Sequence, residues 1–183
     1  MTDRTIAFIL LAAGRSERFG GDKLISPYKG KRLWRWAADE AEEAAFHERF
    51  LVIGAHSSVR TPAGWVEVLN ADATQGMGTS IAAGVAAAKH HDRVVIGLAD
   101  MPKVSAAHLR RIASGMGSTF TRYEDGSAGC PAGFEREAFS ELQTLQGDRG
   151  ARALDLPNPS VIETDDQNLL FDVDAREDLR IDQ

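Results

Sequence analysis

Three cationic side chains, Arg15, Arg18 and Lys23, fall inside the short stretch Gly14-Arg15-Ser16-Glu17-Arg18-Phe19-Gly20-Gly21-Asp22-Lys23. Glycines interleaved with cations suit one task above others, which is to hold backbone N–H groups and positive charge against phosphate oxygens. An anionic nucleotide is the guest these residue types would take. Asp100, in Leu98-Ala99-Asp100-Met101-Pro102, adds a hard carboxylate that could hold Mg²⁺, the ion that bridges nucleotide phosphates and offsets charge during transfer. Asp172 and Asp174 are the candidates for a second carboxylate, and alternation along a strand would put both on one face.

These groups need elements that bring them together. Residues 6–13 are a continuous apolar run, the pattern of a strand covered on both faces in a parallel sheet, so the sheet delivers the glycine loop to its carboxyl edge. The run 94–98 does the same for Asp100, and ligands of open α/β sheets bind outside that edge. Further strands are expected at 50–55 and 66–69, with helices at 33–45, 80–89, 106–114 and 135–145, Thr79 and Ser105 being placed to cap two of them. The spacing of Trp34, Ala37, Ala38 and Ala41 gives the first helix an inward face, which assigns Trp34 and Trp36 to packing rather than chemistry. The alternation predicts a single-domain, Rossmann-like three-layer α/β fold with a mostly parallel sheet, one domain over 1–183.

Two familiar phosphate loops do not fit. A Walker A loop needs glycine directly before its lysine and Ser or Thr after it, whereas Lys23 lies between Asp22 and Leu24. A dinucleotide fingerprint needs G-x-G-x-x-G, whereas Gly14 is followed by five non-glycines before Gly20.

Composition narrows the partners. With 43% hydrophobic and 26% charged residues the chain reads as an ordinary globular protein. A net charge of -6 argues against broad nucleic-acid binding, since a small phosphorylated ligand needs only local positive charge. No apolar run approaches the roughly 20 residues that cross a bilayer. Asp3 beside Arg4 spoils the charged start that a secretory leader needs, and a single cysteine, Cys130, suits a reducing compartment; no membrane partner and a cytoplasmic location are expected. His47, His56, His90, His91 and His108 show no triad or metal spacing. In Asn70 to Ser80, Gly76 and Gly78 would let a base or ribose come close, and Ser80 or the helix start could donate hydrogen bonds.

The segment Leu10-Leu11-Ala12-Ala13-Gly14-Arg15-Ser16-Glu17-Arg18-Phe19-Gly20-Gly21-Asp22-Lys23 fills every fixed position of L-A-A-G-x-S-x-R-[FM]-G-x-x-K. In this it resembles the molybdenum cofactor cytidylyltransferase and guanylyltransferase (MocA/MobA-like) family. Leu98 to Pro102 looks like that family's metal-binding strand end, Gly147-Asp148-Arg149-Gly150-Ala151-Arg152 like its G-D-x-G-A-R segment, and Asp172-Val173-Asp174 with Glu177-Asp178-Leu179 like its closing D-x-D-x-x-E-D-L. The resemblance implies a nucleotide-diphospho-sugar transferase type of fold and a Mg²⁺-dependent nucleotidyltransferase. The nucleoside triphosphate would lie on Leu11, Ala12, Ala13, Gly14, Arg15, Lys23, Gly76, Gly78 and Ser80. Lys23, Arg18 and Asp100 would carry the catalysis and Asp100 with Asp172 the metal, while Asp174 starts a turn with Glu177 in a capping box.

The implied acceptor is the terminal phosphate of a molybdopterin-type cofactor, and Ala13, where the guanylyl branch has glycine, favours CTP over GTP. A molybdenum hydroxylase or its chaperone is the implied protein partner. Gly129-Cys130-Pro131 departs from the family's G-H-P beside the acceptor, and Asp148 and Arg149 would lie near that acceptor. The alternatives are a sugar- or polyol-phosphate nucleotidyltransferase, whose greater usual length this chain lacks, and a non-catalytic nucleotide-binding cofactor chaperone, against which intact Lys23 and Asp100 speak.

Overall fold

A computed structural model describes residues 4–14, 19–156, 158–164 and 166–180. In chain order the strands are β1 (Ile6–Ala12), a short hairpin of β2 (Pro27–Tyr28) and β3 (Lys31–Arg32), β4 (Glu48–Gly54), β5 (Val66–Asn70), β6 (Arg93–Leu98), β7 (Ser118–Arg122), β8 (Ala128–Glu135) and β9 (Pro159–Ile162). The helices are α1 (Leu33–Glu43), α2 (Met77–Ala87), α3 (Ala106–Ser114) and α4 (Phe139–Leu142).

The apolar run of β1 settles the layering. Phe8, Leu10 and Ala12 pack with Trp34, Ala37, Ala38 and Ala41 of α1 and with Leu109 and Ile112 of α3 on one face. Ala7, Ile9 and Leu11 meet Ile81 and Val85 of α2 and Phe139 and Leu142 of α4 on the other. A strand sandwiched this way needs apolar residues at every position, which is why its pattern does not alternate.

The main sheet runs β5-β4-β1-β6-β8-β7-β9. Pairings β5·β4, β4·β1, β1·β6 and β7·β9 are parallel, while β8 runs antiparallel to both β6 and β7. Register matters most between β1 and β6. Leu11 stands opposite Leu98, so both strands end at one level and both following loops leave the same edge. The amide of Ala99 donates to the carbonyl of Leu11 at 3.1 Å, extending the pairing to the residue before Asp100.

Four expectations need correction. The helix placed at 80–89 begins at Met77, so Thr79 lies inside it; the cap position is Gly76, and the Thr79 hydroxyl donates back to the carbonyl of Gly76 at 2.9 Å. The helix placed at 135–145 is mostly not one, because Glu135 ends β8 and only Phe139–Leu142 is α-helical after a 3-10 turn. Residues 171–174 form no strand, so no pleat sets Asp172 and Asp174 on one face. The turn after Asp174 is closed not by Glu177 but by Asp178, whose carboxylate accepts from the amides of Asp174 and Ala175 at 2.8 and 2.7 Å. Ser105 does cap α3, accepting from the amide of His108 at 3.2 Å.

Arg93, at the start of β6, is fully buried. Its guanidinium donates to the carbonyls of Gly117 and Ile112, both at 2.9 Å, to the Thr119 hydroxyl at 3.0 Å and to Glu135 at 3.3 Å. Burial pulls its pKa down to about 10, against Glu135 which raises it. Room for it comes from Gly133, where a Cβ would stand 2.5 Å from the guanidinium. Arg93→Met leaves the Gly117 and Ile112 carbonyls and the Thr119 hydroxyl without this donor, and leaves Glu135 with Arg4 as its remaining cationic partner. It is expected to cost about 3 kcal/mol, a fall in Tm of roughly 6–12 °C, readable by urea titration and calorimetry.

Candidate active site

Two loops meet where β1 and β6 end. The first starts at Ala13 and Gly14 and reaches Lys23; the second starts at Ala99 and carries Asp100. Lys23 is only 7% exposed, and its ammonium donates to Asp100 Oδ2 at 2.8 Å with Asp174 Oδ1 at 3.8 Å. The carboxylates of Asp100 and Asp174 offset the cost of holding an ammonium this far from water. The backbone locks a third segment of the site in place, since the amide of Val173 donates to the carbonyl of Asp100 at 3.0 Å and Val173 is fully buried.

Asp172 lies beside Val173 with its carboxyl pKa raised. Loss of hydration is the first cause, the Asp174 and Asp100 carboxylates follow, and Lys23 opposes them. A cluster with this excess of negative charge is suited to a cation. Among the described residues no three acidic, histidine or cysteine side chains converge on one point. The protein would therefore give a divalent ion one or two carboxylates and leave its remaining positions to phosphate oxygens and water, the arrangement Mg²⁺ favours. The oxygen donors of Asp100 and Asp172 fit that group.

A cleft of about 600 Å³ opens over this pair, lined by Leu11, Ala13, Gly14, Lys23, Ser80 and Asp100 among others. Ala12 lines a neighbouring hollow of about 520 Å³ that shares Ala13 and Gly14 and reaches His56 and Ser57. A Cβ on Gly14 would meet nothing within 4 Å, so the chain here is open to a ligand. Arg15 and Arg18 lie outside the described residues.

Gly76 and Gly78 owe their identity to a different neighbour than a base. A Cβ on Gly76 would fall 2.3 Å from the Gly147 carbonyl carbon and 2.4 Å from Asp148 Oδ1, and one on Gly78 would fall 2.9 Å from the Arg149 carbonyl oxygen. The amide of Gly78 donates to the carbonyl of Gly147 at 2.8 Å. The start of α2 is thus docked on the Gly147 to Arg149 turn. Gly76 also sits at φ +124°, a region that side chains avoid. Gly76→Ala is expected to cost about 2–3 kcal/mol through strain and displacement of that turn, visible as a lower denaturation midpoint in urea. Ser80 is buried and its hydroxyl accepts from Asn70 Nδ2 at 3.0 Å, a fixed bond that sets the loop before the helix.

Past Asp148 lies a second hollow of about 580 Å³, walled by Ile81, Ile96, Phe120 and Phe134, with Arg149 and Arg152 also in its lining. Tyr123, just past the end of β7, and Cys130 on β8 line it. The Tyr123 hydroxyl donates to the Cys130 carbonyl at 2.7 Å, and burial, followed by Cys130, Asp172 and Asp100, raises its pKa so that it stays a neutral donor. Burial, with Asp100 adding to it, pushes the Cys130 thiol up to about 12, which rules it out as a thiolate nucleophile near neutral pH. Tyr123 lines this hollow although no sequence pattern singles it out.

The MobA-like NTP transferase domain model matches residues 8–160. The chain belongs to this nucleotidyltransferase family. It is 30% identical to the purine catabolism protein PucB of Bacillus subtilis (strain 168), over 93% of this chain and 92% of that one. It is 35% identical to nicotine blue oxidoreductase of Paenarthrobacter nicotinovorans over 109 residues, 57% of this chain and about half, 53%, of that protein. Among solved structures, Rv0371c from Mycobacterium tuberculosis H37Rv superposes with a TM-score of 0.86 at 31% identity, covering 98% of this chain and 97% of that one. A second structure of that protein is a complex with manganese, with a TM-score of 0.78 at 28% identity over 96% of both chains. A MobA-like transferase thus has a solved relative that takes a divalent cation. Among the described residues no helix is long and apolar enough to cross a membrane.

Proposed function

We propose that the chain, acting as one nucleotidyltransferase domain, moves CMP from CTP to the terminal phosphate of a molybdopterin-type acceptor. The observation that carries the reading is the pairing of buried Lys23 with half-buried Asp100 at the shared edge of β1 and β6, a cation and a carboxylate placed side by side in an open cleft. In this reading Gly14 and its neighbours hold the triphosphate by backbone N–H groups, and Lys23 and Arg18 neutralise it. An oxygen of the acceptor phosphate attacks the α-phosphorus in line. The bond from that phosphorus to the bridging oxygen breaks, and pyrophosphate leaves with the electron pair.

Mg²⁺, held on Asp100 and Asp172, would supply Lewis-acid charge stabilisation. The chain's own work is positioning, which needs no covalent intermediate. The hollow beyond Asp148 is the acceptor site in this reading. Its aliphatic and aromatic walls suit a flat heterocycle and its two arginines suit an anion, a combination that favours a pterin phosphate over a polyol phosphate. Ala13, at the entrance to the cleft, supports CTP. The product would pass to a molybdenum hydroxylase or its chaperone. The oxidoreductase name of the relative matched over about half its length is that protein's own, and this chain has no G-x-G-x-x-G spacing after β1.

The test is pyrophosphate release with Mg²⁺ and each of CTP, GTP, ATP and UTP, with and without molybdopterin-type cofactor. Cofactor-dependent release with CTP alone is expected. Binding of no nucleotide removes the phosphate-loop reading, and release with a sugar phosphate instead reassigns the acceptor.

A further inference from the structure

We infer that Arg176 is a positioning residue for the nucleotide: it fixes the far limb of the phosphate loop, Phe19 to Gly21, and so holds Lys23 where a triphosphate can meet it. The inference rests on the nucleotidyl-transfer reading above. It concerns a position that the D-x-D-x-x-E-D-L pattern leaves open, since Arg176 fills the last of its three unspecified places.

The contacts all point one way. Arg176 Nε donates to the Phe19 carbonyl at 3.1 Å and its Nη2 to the Gly20 carbonyl at 3.2 Å. The guanidinium carbon stands 5.5 Å from the centre of the Phe19 ring, and a Cβ on Gly21 would lie 3.4 Å from Nη2. One planar fork therefore spans three consecutive loop residues that come more than 150 positions earlier in the chain. Gly20 sits at φ +68°, a turn with no side chain of its own to brace it.

The same short segment grips the rest of the site. Val173 packs in a small buried cluster with Phe19, Tyr28 and Leu33, and its amide holds the Asp100 carbonyl at 3.0 Å. Asp174 stands 3.8 Å from the Lys23 ammonium. Residues 173–176 thus tie the phosphate loop to the strand end that carries Asp100, and Arg176 is the part of that tie made by hydrogen bonds to loop carbonyls. Arginine suits the place because its rigid planar fork aims two separate nitrogens at two carbonyls, where a lysine would offer one nitrogen on a flexible stem.

The experiment compares wild type, Arg176→Met, Arg176→Lys and Arg136→Met, the last removing an exposed arginine whose bonds go to His90, His91 and Asp92 instead. CTP affinity by calorimetry, KM and kcat, Mn²⁺ affinity by electron paramagnetic resonance and Tm are measured for each. Arg176→Met is expected to weaken CTP and raise its KM about tenfold, with kcat within about threefold, because exposed charge-assisted bonds to a loop are modest but aimed at ground-state positioning. Mn²⁺ affinity and Tm should stay near wild type. Arg176→Lys should fall between the two, and Arg136→Met should match wild type. CTP affinity unchanged within twofold in Arg176→Met, or a parallel loss of Tm and Mn²⁺ affinity in both Arg176 variants, overturns the inference. If wild type binds CTP and the Arg176 variants bind it equally, the role of Arg176 alone falls. If wild type binds none of the four nucleoside triphosphates, the transfer reading falls and takes this inference with it.

Discussion

Asp100→Asn is expected to lower kcat by about a thousandfold, roughly 4 kcal/mol of lost transition-state stabilisation, while leaving the fold intact. The amide keeps the shape and removes the charge a divalent ion needs. A second effect has the opposite sign. In the free protein Asp100 holds Lys23 at 2.8 Å, so its carboxylate occupies the ammonium that a triphosphate needs and repels phosphate besides. Without metal, Asp100→Asn should therefore bind CTP several-fold more tightly than wild type, since the side chain no longer competes for Lys23. Titration calorimetry in chelator, beside steady-state pyrophosphate release, reads both; weaker metal-free binding would show that Lys23 is not available to the nucleotide.

Lys23→Met is the complementary case. The stem is kept and the charge lost, so the triphosphate loses a buried charge-assisted donor of the kind whose removal costs about 10²–10³ in rate. kcat/KM for CTP should fall by that factor with KM rising too, because Lys23 meets the phosphates before as well as during transfer. Asp100, Asp172 and Asp174 would then lack their nearby ammonium, so metal-free stability at neutral pH should drop and recover on adding Mn²⁺. Thermal melts with and without Mn²⁺ test this directly. A melting temperature unchanged by metal in Lys23→Met would mean that the carboxylates are already satisfied by water.

The parallel half of the sheet was legible because its signal is local. Uninterrupted apolar runs such as Ile9 to Ala12 and Val94 to Leu98 can serve only as strands buried on both faces, and the glycines and charges that follow them mark the edge where chemistry happens. The mixed half was harder to read. β7 and β8 join through Asp125-Gly126, a hairpin signal flanked by Thr119-Phe120-Thr121 and Cys130 to Phe134, yet polar threonines and two glycines blur the alternation. Those threonines are buried because Arg93 and His108 reach them, which is a long-range cause. The helix expected at 135–145 failed for a related reason, as pairing of β8 with β6 carries the strand through Glu135 and leaves one helical turn. At the site, Lys23 and Asp100 could be paired by motif, but Asp172 and Asp174 could not be given their geometry, since no regular element holds them. Gly76, which also lines the cleft, and Gly78 are seats for the Gly147 turn as well, a partner about seventy residues away that no spacing reveals.

The reversal of strand direction at β8 has a bearing on how such a protein can change. Because β8 runs against β6, the strand that leads to Asp100, and β7 runs against β8 in turn, the start of β8 and the end of β7 arrive at the same rim as the phosphate loop while belonging to the other half of the sheet. In the proposed reading, nucleotide and acceptor would be taken by separate stretches of chain that share Met77, Leu98 and Asp148. Changes at Tyr123, Cys130, Arg149 or Arg152 would then retune the acceptor without touching the nucleotide loop, and a lineage built on this plan would be free to exchange acceptors while inheriting its activated donor unchanged.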